Sequence, residues 1–126
     1  RKHPVPRLTI AGGIAKMTKL AQGRLDLHSG RSRADMAEFA TLTRTVSANA
    51  TLADDIAQTQ TIAEAFLKAR VAGVELGNHI ARQALNVALD VLDDSATIVD
   101  VVLFDRMGVC VGRSELLSAH ERKRLR

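Results

Sequence analysis

Apolar positions in this chain fall into blocks, and the spacing inside each block differs. Arg7–Ala11 is a short run with Leu8, Ile10 and Ala11, closed by Gly12-Gly13, and reads as a short buried strand. From Ile14 the period changes to that of a helix: Ile14, Met17, Leu20 and Ala21 form a stripe over Ile14–Gln22, with Gly23 placed to end it. Leu25–Arg33 breaks the pattern and reads as loop. Asp35–Ser47 returns to helical spacing with Met36, Phe39, Ala40, Thr43 and Val46 inward. After a break at Asn49-Ala50-Thr51, a short helix is predicted over Leu52–Gln58. A further one spans Thr61–Val71, where Thr61 and Glu64 match a capping box and Gly73 marks the end. The longest helix is predicted over Leu76–Leu92, apolar on a wide arc of Ile80, Ala84, Val87, Ala88 and Val91. Thr97–Phe104 is β-branched and nearly continuous in apolar residues, as an internal strand is. Met107-Gly108 reads as a turn, Val109–Val111 as a second short strand, and Ser114–Arg126 as a polar tail, helical at Leu116–Arg122.

Strand, helices, strand is the order of an α/β layer structure, with α+β as the alternative. The expectation is a small, mostly parallel sheet covered by several helices, in one domain over residues 1–126. Residues 1–6 and 114–126 are expected to be flexible or polar ends. So few strands make a poor sheet alone, so the chain reads as a piece of a longer protein. The upstream part or a second copy of the chain would complete it.

At 126 residues and 46% hydrophobic, the chain supports one ordinary core. No apolar run approaches membrane-spanning length, and no signal-peptide pattern is present, so no membrane partner is expected. The formal charge of +4 raises nucleic acid as a partner. Seven of the 18 basic residues lie at the two ends, however. Leu8–Ala119 holds 11 basic against 13 acidic residues, a balance of −2. With no Trp or Tyr there is no base-stacking platform either, so nucleic acid is not expected. A single cysteine, Cys110, excludes an internal disulfide and agrees with a cytoplasmic protein; its apolar neighbours suggest a buried thiol. His3, His28, His79 and His120 are far apart and make no zinc spacing, so no metal site is expected.

One internal segment departs from the acidic middle. Between Ile14 and Ala34, Lys16, Lys19, Arg24, Arg31 and Arg33 face only Asp26. A strand that ends in glycines and runs into a helix start collects anions, because free backbone N–H groups and the helix dipole point outward there. Gly12 and Gly13 would allow close approach, and Lys16 and Lys19, three apart, share a face. The plain alternative is a tight turn followed by a solvated helix face. Neither Gly-x-Gly-x-x-Gly nor a Gly-Lys-Ser/Thr phosphate motif is present. His28-Ser29 lies in the same basic stretch, where His28 is a candidate base or carboxylate partner, or else a packed imidazole. Asp105, followed by Arg106 at the end of the long strand, is a second candidate catalytic carboxylate, or else a turn-former.

The run LTIAGGIAKMTKLAQGRLDLHSGRSRAD, with VVLFDRMGVCVG downstream, resembles the C-terminal part of the CbiD family, the cobalt-precorrin-5B C(1)-methyltransferases of anaerobic cobalamin biosynthesis. The resemblance covers roughly Arg7 to Gly112. It rests on the Gly13, Lys16, Lys19, Gly23 spacing, on His28-Ser29, and on Asp105-Arg106 with Gly108. It implies transfer of a methyl group from S-adenosylmethionine to ring carbon 1 of a polycarboxylate tetrapyrrole, with cobalt arriving only as part of the substrate. Gly12, Gly13, Lys16, Lys19, His28, Ser29 and Arg31 would then form a carboxylate-binding rim. The family's Thr/Gly/Cys/Ala-rich N-terminal portion lies outside this chain, and Gly12-Gly13 stands where a Gly-His pair is expected. The location of the methyl-donor site stays open, with the upstream part as one candidate, and the chain alone is expected to be inactive. The alternative function is a non-catalytic anion-binding or assembly module.

Overall fold

The computed structural model describes residues 6–24, 34–93 and 95–125. Its centre is β2 (Ile98–Phe104), the β-branched run IVDVVLF. Alternation sends Val99, Val101 and Leu103 to one face, where each is fully buried, and Ile98, Asp100, Val102 and Phe104 to the other. β1 (Arg7–Gly13) pairs with β2 in parallel along its whole length, from Arg7 opposite Ile98 to Gly13 opposite Phe104. The other edge of β2 is shared by two antiparallel strands. β3 (Cys110–Arg113) takes the upper half, with a bulge at Leu103/Phe104, and β4 (Leu117–Ser118) takes the lower.

Among the described residues, five helices lie between β1 and β2: α1 (Ile14–Ala21), α2 (Met36–Ser47), α3 (Ala50–Ala57), α4 (Ile62–Val71) and α5 (Gly77–Leu92); α6 (Ala119–Leu125) closes the order. The starts of α2, α3 and α4 are set by side chains that accept orphan N–H groups. Asp35 caps α2 through Ala37 N and Glu38 N (2.8 and 3.1 Å), Asn49 caps α3 through Leu52 N (3.0 Å), and Thr61 caps α4 through Glu64 N (3.1 Å). Gly23 ends the α1 turn with φ +80°, a conformation that L side chains rarely adopt.

Two glycines show that α1 and α5 cover the same sheet face. Gly12 and Gly112 both sit opposite Leu103. A Cβ on Gly12 would stand 2.9 Å from Met17 Cε of α1, and one on Gly112 would stand 2.3 Å from Gly77 C of α5. The core therefore lies between that face and the helices: Met17, Phe39, Ile56, Ile80, Leu85 and Leu89 are all essentially buried. The opposite face carries the buried Val102 among the half-buried Ile98, Asp100 and Phe104.

The α/β class follows, but the sheet is mixed rather than mostly parallel, because β3 and β4 return as hairpin partners of β2. β1 is not a buried strand. It is an edge strand, and Leu8, opposite Val99 on the helix side, is still 44% exposed. Cys110, which pairs with Phe104, is exposed, not buried. In α5 the arc covered by the sheet and α1 includes Leu85 and Leu89 and leaves Val91 63% exposed, contrary to the predicted stripe. Residues 114–125, expected as a flexible or polar end, carry β4 and α6. Ser118 Oγ accepts from Glu121 N (3.0 Å) at the start of α6, and Arg122 docks α6 on α5 by donating to Asn86 O (3.0 Å) and pairing with Asp90. No helix of the described residues is long and apolar enough to cross a membrane.

Candidate functional site

The parallel β1–β2 pairing brings the end of β1, the start of α1 and the residues after β2 to one edge of the sheet. That is the edge where ligands collect in open α/β sheets. Gly13 is the N-cap of α1, at φ −71° and ψ 167°; no side chain caps it, and no acidic residue stands in the first turn. A Cβ at Gly13 would meet nothing within 4 Å, so its backbone is open to a ligand. Gly12 differs. Its missing side chain makes room for Met17 in the core, so its glycine is explained by packing rather than by ligand approach.

Lys16 and Lys19 follow on α1. Both are half-buried, and the stem of Lys16 lies over Gly12, with its Cδ 3.6 Å from the point a Cβ on Gly12 would occupy. Neither lysine has an ion-pair partner among the described residues, whereas Arg44, Arg70, Arg82, Arg122 and Lys123 each face a carboxylate. Half-buried ammonium groups with no counter-ion among the described residues are suited to an external anion.

Asp105 is committed to its own turn. Its Oδ1 accepts from Met107 N and Val109 N (both 2.9 Å), its amide donates to Val109 O, and Gly108 completes the turn at φ +80°. Arg106, beside it, is exposed and has no ion-pair partner among the described residues. The structure thus leaves the cation of this dipeptide available at the sheet edge and uses the carboxylate for the fold. His28, Ser29 and Arg31, the remaining residues of the predicted rim, lie outside the described residues. The residues flanking segment 25–33 are tied together: Gln22 Nε2 donates to Asp35 O (2.9 Å), Asp35 N donates to Gln22 Oε1 (2.6 Å), and Arg24 approaches Asp35 Oδ2 at 3.8 Å.

A second concavity was not legible in the sequence. α2 packs on α3 and α4, while α1 packs on α5. Between the two groups lies a cleft of about 500 Å³, lined by Thr18, Gln22, Glu38, Phe39, Thr41, Ile80, Gln83 and Asn86 among others. Its residues come from three separate helices, so no local motif announces it. The nearest signal was Thr18, a hydroxyl on the apolar stripe of α1.

These features define an α/β domain with an uncapped strand–helix junction at Gly13, flanked by Lys16 and Lys19. Comparison with known proteins gives it a family: the model "CbiD, C-terminal domain" matches residues 26–115, and the chain belongs to that family. Among curated relatives, the cobalt-precorrin-5B C(1)-methyltransferase of Halorhodospira halophila is 50% identical over 114 residues, covering 90% of this chain and 31% of that protein. Proteins of the same name from Agrobacterium fabrum and Paramagnetospirillum magneticum are 42% and 47% identical, covering 96% and 89% of this chain and 32% and 31% of theirs. The chain therefore spans about a third of the length of these relatives. No solved structure matches.

Proposed function

We propose that this chain is the substrate-side C-terminal domain of a cytoplasmic methyltransferase that methylates ring carbon 1 of cobalt-precorrin-5B in anaerobic cobalamin biosynthesis. S-adenosylmethionine is the methyl donor in this reading, and cobalt belongs to the substrate. The observation that carries it is that Lys16 and Lys19, beside the open Gly13 turn, have no ion-pair partner among the described residues, in a chain whose relatives bear that name. The substrate's acetate and propionate groups are the anions that Lys16, Lys19 and the first-turn N–H groups of α1 would hold, with Arg106 further along the same edge and His28, Ser29 and Arg31 as further candidates.

The donor, when bound, supplies an electrophilic methyl carbon. What this chain contributes is alignment: multiple fixed carboxylate contacts set the orientation of the ring, and displacement at a methyl group depends on the line of approach more than on proton transfer. That agrees with Asp105 being spent on its turn. The free edge of β1 supports completion of the site by the upstream part of the protein, since an exposed seven-residue edge strand with only Arg7 to guard it is a pairing surface. The same edge is what a pure assembly module would offer, either to the upstream part or to a second copy of the chain. Ligand affinity separates the two readings.

The test is the affinity of the full-length protein for a carboxylate-rich tetrapyrrole, with Lys16→Glu and Lys19→Glu combined. Each reversal converts an attraction into a repulsion of about 1 kcal/mol at a partly exposed site, so binding should weaken about tenfold or more and lose part of its salt dependence. Wild-type affinity in the double variant would remove the rim from the substrate site.

A further inference from the structure

The α1–α2–α5 cleft has the chemistry of a second site, unlike that of the rim. Phe39 and Ile80, both essentially buried in the fold, form an apolar floor. At that floor Thr18, 2% exposed, carries a hydroxyl with no hydrogen-bond partner among the described residues. Helical threonines ordinarily satisfy this group on the preceding turn, as Thr41, Thr43 and Thr45 do here at 3.0 Å. A buried hydroxyl left unmade is costly and calls for a partner. At the mouth, Gln83 is exposed and its amide has no partner among the described residues, so a donor and an acceptor stand ready. The hydroxyls of Thr41 and Thr45 donate back to their own helix and keep acceptor capacity. Among the described residues, the only charged side chain in the lining is Glu38; Arg122, on the far side of Asn86, is already paired with Asp90.

A cleft with an apolar floor, amide and hydroxyl groups and one carboxylate repels a polyanion. It suits a flat, hydrogen-bonding ligand that is neutral or cationic, in a volume typical of small-molecule sites. We propose that this cleft binds a nucleoside-type ligand without net negative charge. On the methyltransferase reading, on which this identification of the ligand rests, that ligand is the adenosyl part of the methyl donor. The domain then separates its two ligands by charge, with the polycarboxylate ring at the cationic sheet edge and the sulfonium nucleoside at the cleft.

The test uses the full-length protein with S-adenosylhomocysteine as the probe, by calorimetry and by hydrogen exchange over residues 37–45 and 80–87. Two variants are compared with wild type. Thr18→Val keeps the shape and removes only the hydroxyl, and Gln83→Ala removes an exposed amide that packs against nothing in the core. Each should weaken the probe about three- to tenfold, the loss of one hydrogen bond, and leave the affinity for a tetracarboxylate porphyrin unchanged. Thr18→Val should melt no lower than wild type, which a purely structural threonine would not allow. Wild-type probe affinity in both variants, with no protection over the cleft, would overturn the proposal and leave the methyltransferase reading standing. If S-adenosylhomocysteine does not bind the wild type at all, the methyltransferase reading falls. Adenosine then decides the cleft: protection over residues 37–45 and 80–87 keeps a nucleoside site there, and its absence overturns it.

Discussion

Gly77 at the start of α5 and Gly112 in β3 meet backbone to backbone where the helical layer joins the sheet. A Cβ at Gly112 would lie 2.3–2.6 Å from three backbone atoms of Gly77, and one at Gly77 would lie 1.8 Å from Val111 O. Ordinary contact begins near 3.4 Å, so Gly112→Ala must push α5 and β3 apart by about 1 Å. Both sides are backbone, and no rotamer can yield. The movement pulls on the Arg113 N to Asn78 Oδ1 bond (2.9 Å) and opens the packing of Leu76 and Ile80 on the sheet. Overpacking of this kind costs about 1–3 kcal/mol, and the weakened hydrogen bond adds about 1 kcal/mol, giving about 3 kcal/mol in all. With an unfolding entropy of about 2.1 cal/mol/K per residue, 126 residues lose about 4 °C per kcal/mol, so Tm should fall by about 12 °C. Differential scanning calorimetry reads it directly. Gly77→Ala should behave alike, and the double variant should be less destabilised than the sum, because the gap opened for one methyl also admits the other. Gly13→Ala is the internal control: at φ −71° with nothing within 4 Å it should leave Tm unchanged or slightly raised, while weakening tetrapyrrole binding if the open turn is used. A Gly112→Ala melt within about 3 °C of wild type would refute the reasoning from backbone contact.

Two further outcomes follow from single residues. Asp35→Ala removes the cap from Ala37 N and Glu38 N and the pairing with Arg24, and should cost about 1–2 kcal/mol, read as a fall in Tm of about 4–8 °C; a smaller loss in Asp35→Asn, which keeps a capping oxygen, distinguishes the cap from the charge. Cys110, exposed in β3, should react with a thiol reagent in the native isolated chain at a rate near that of the denatured chain. In the full-length protein, protection of that thiol would map the surface covered by the upstream part.

Much of the local structure was legible because its causes are local. Asp35, Asn49 and Thr61 announce helix starts through groups they can accept within three residues, Gly23 and Gly108 mark turns that need positive φ, and the run IVDVVLF has the stiffness of a buried strand. The junction at Gly13, Lys16 and Lys19 was legible for the same reason: glycine and cation spacing survive in one dimension. What tertiary structure alone decided is which surfaces meet. β1 reads as apolar, yet it lies exposed at an edge, because burial depends on what packs alongside. Val91 looks like a core position, but the arc of α5 that meets the sheet and α1 runs through Leu85 and Leu89. Gly12 looks like a ligand contact and is space for Met17. Asp105 looks like a catalytic carboxylate and holds a turn, leaving Arg106 available at the edge. Thr18 and Gln83, 65 positions apart in the chain, line one cleft only because α1 packs on α5. Capping and turn preferences act over a few bonds and are written in neighbouring residues; burial, clefts and the pairing of charges arise from contacts between distant segments, which no single stretch of sequence contains.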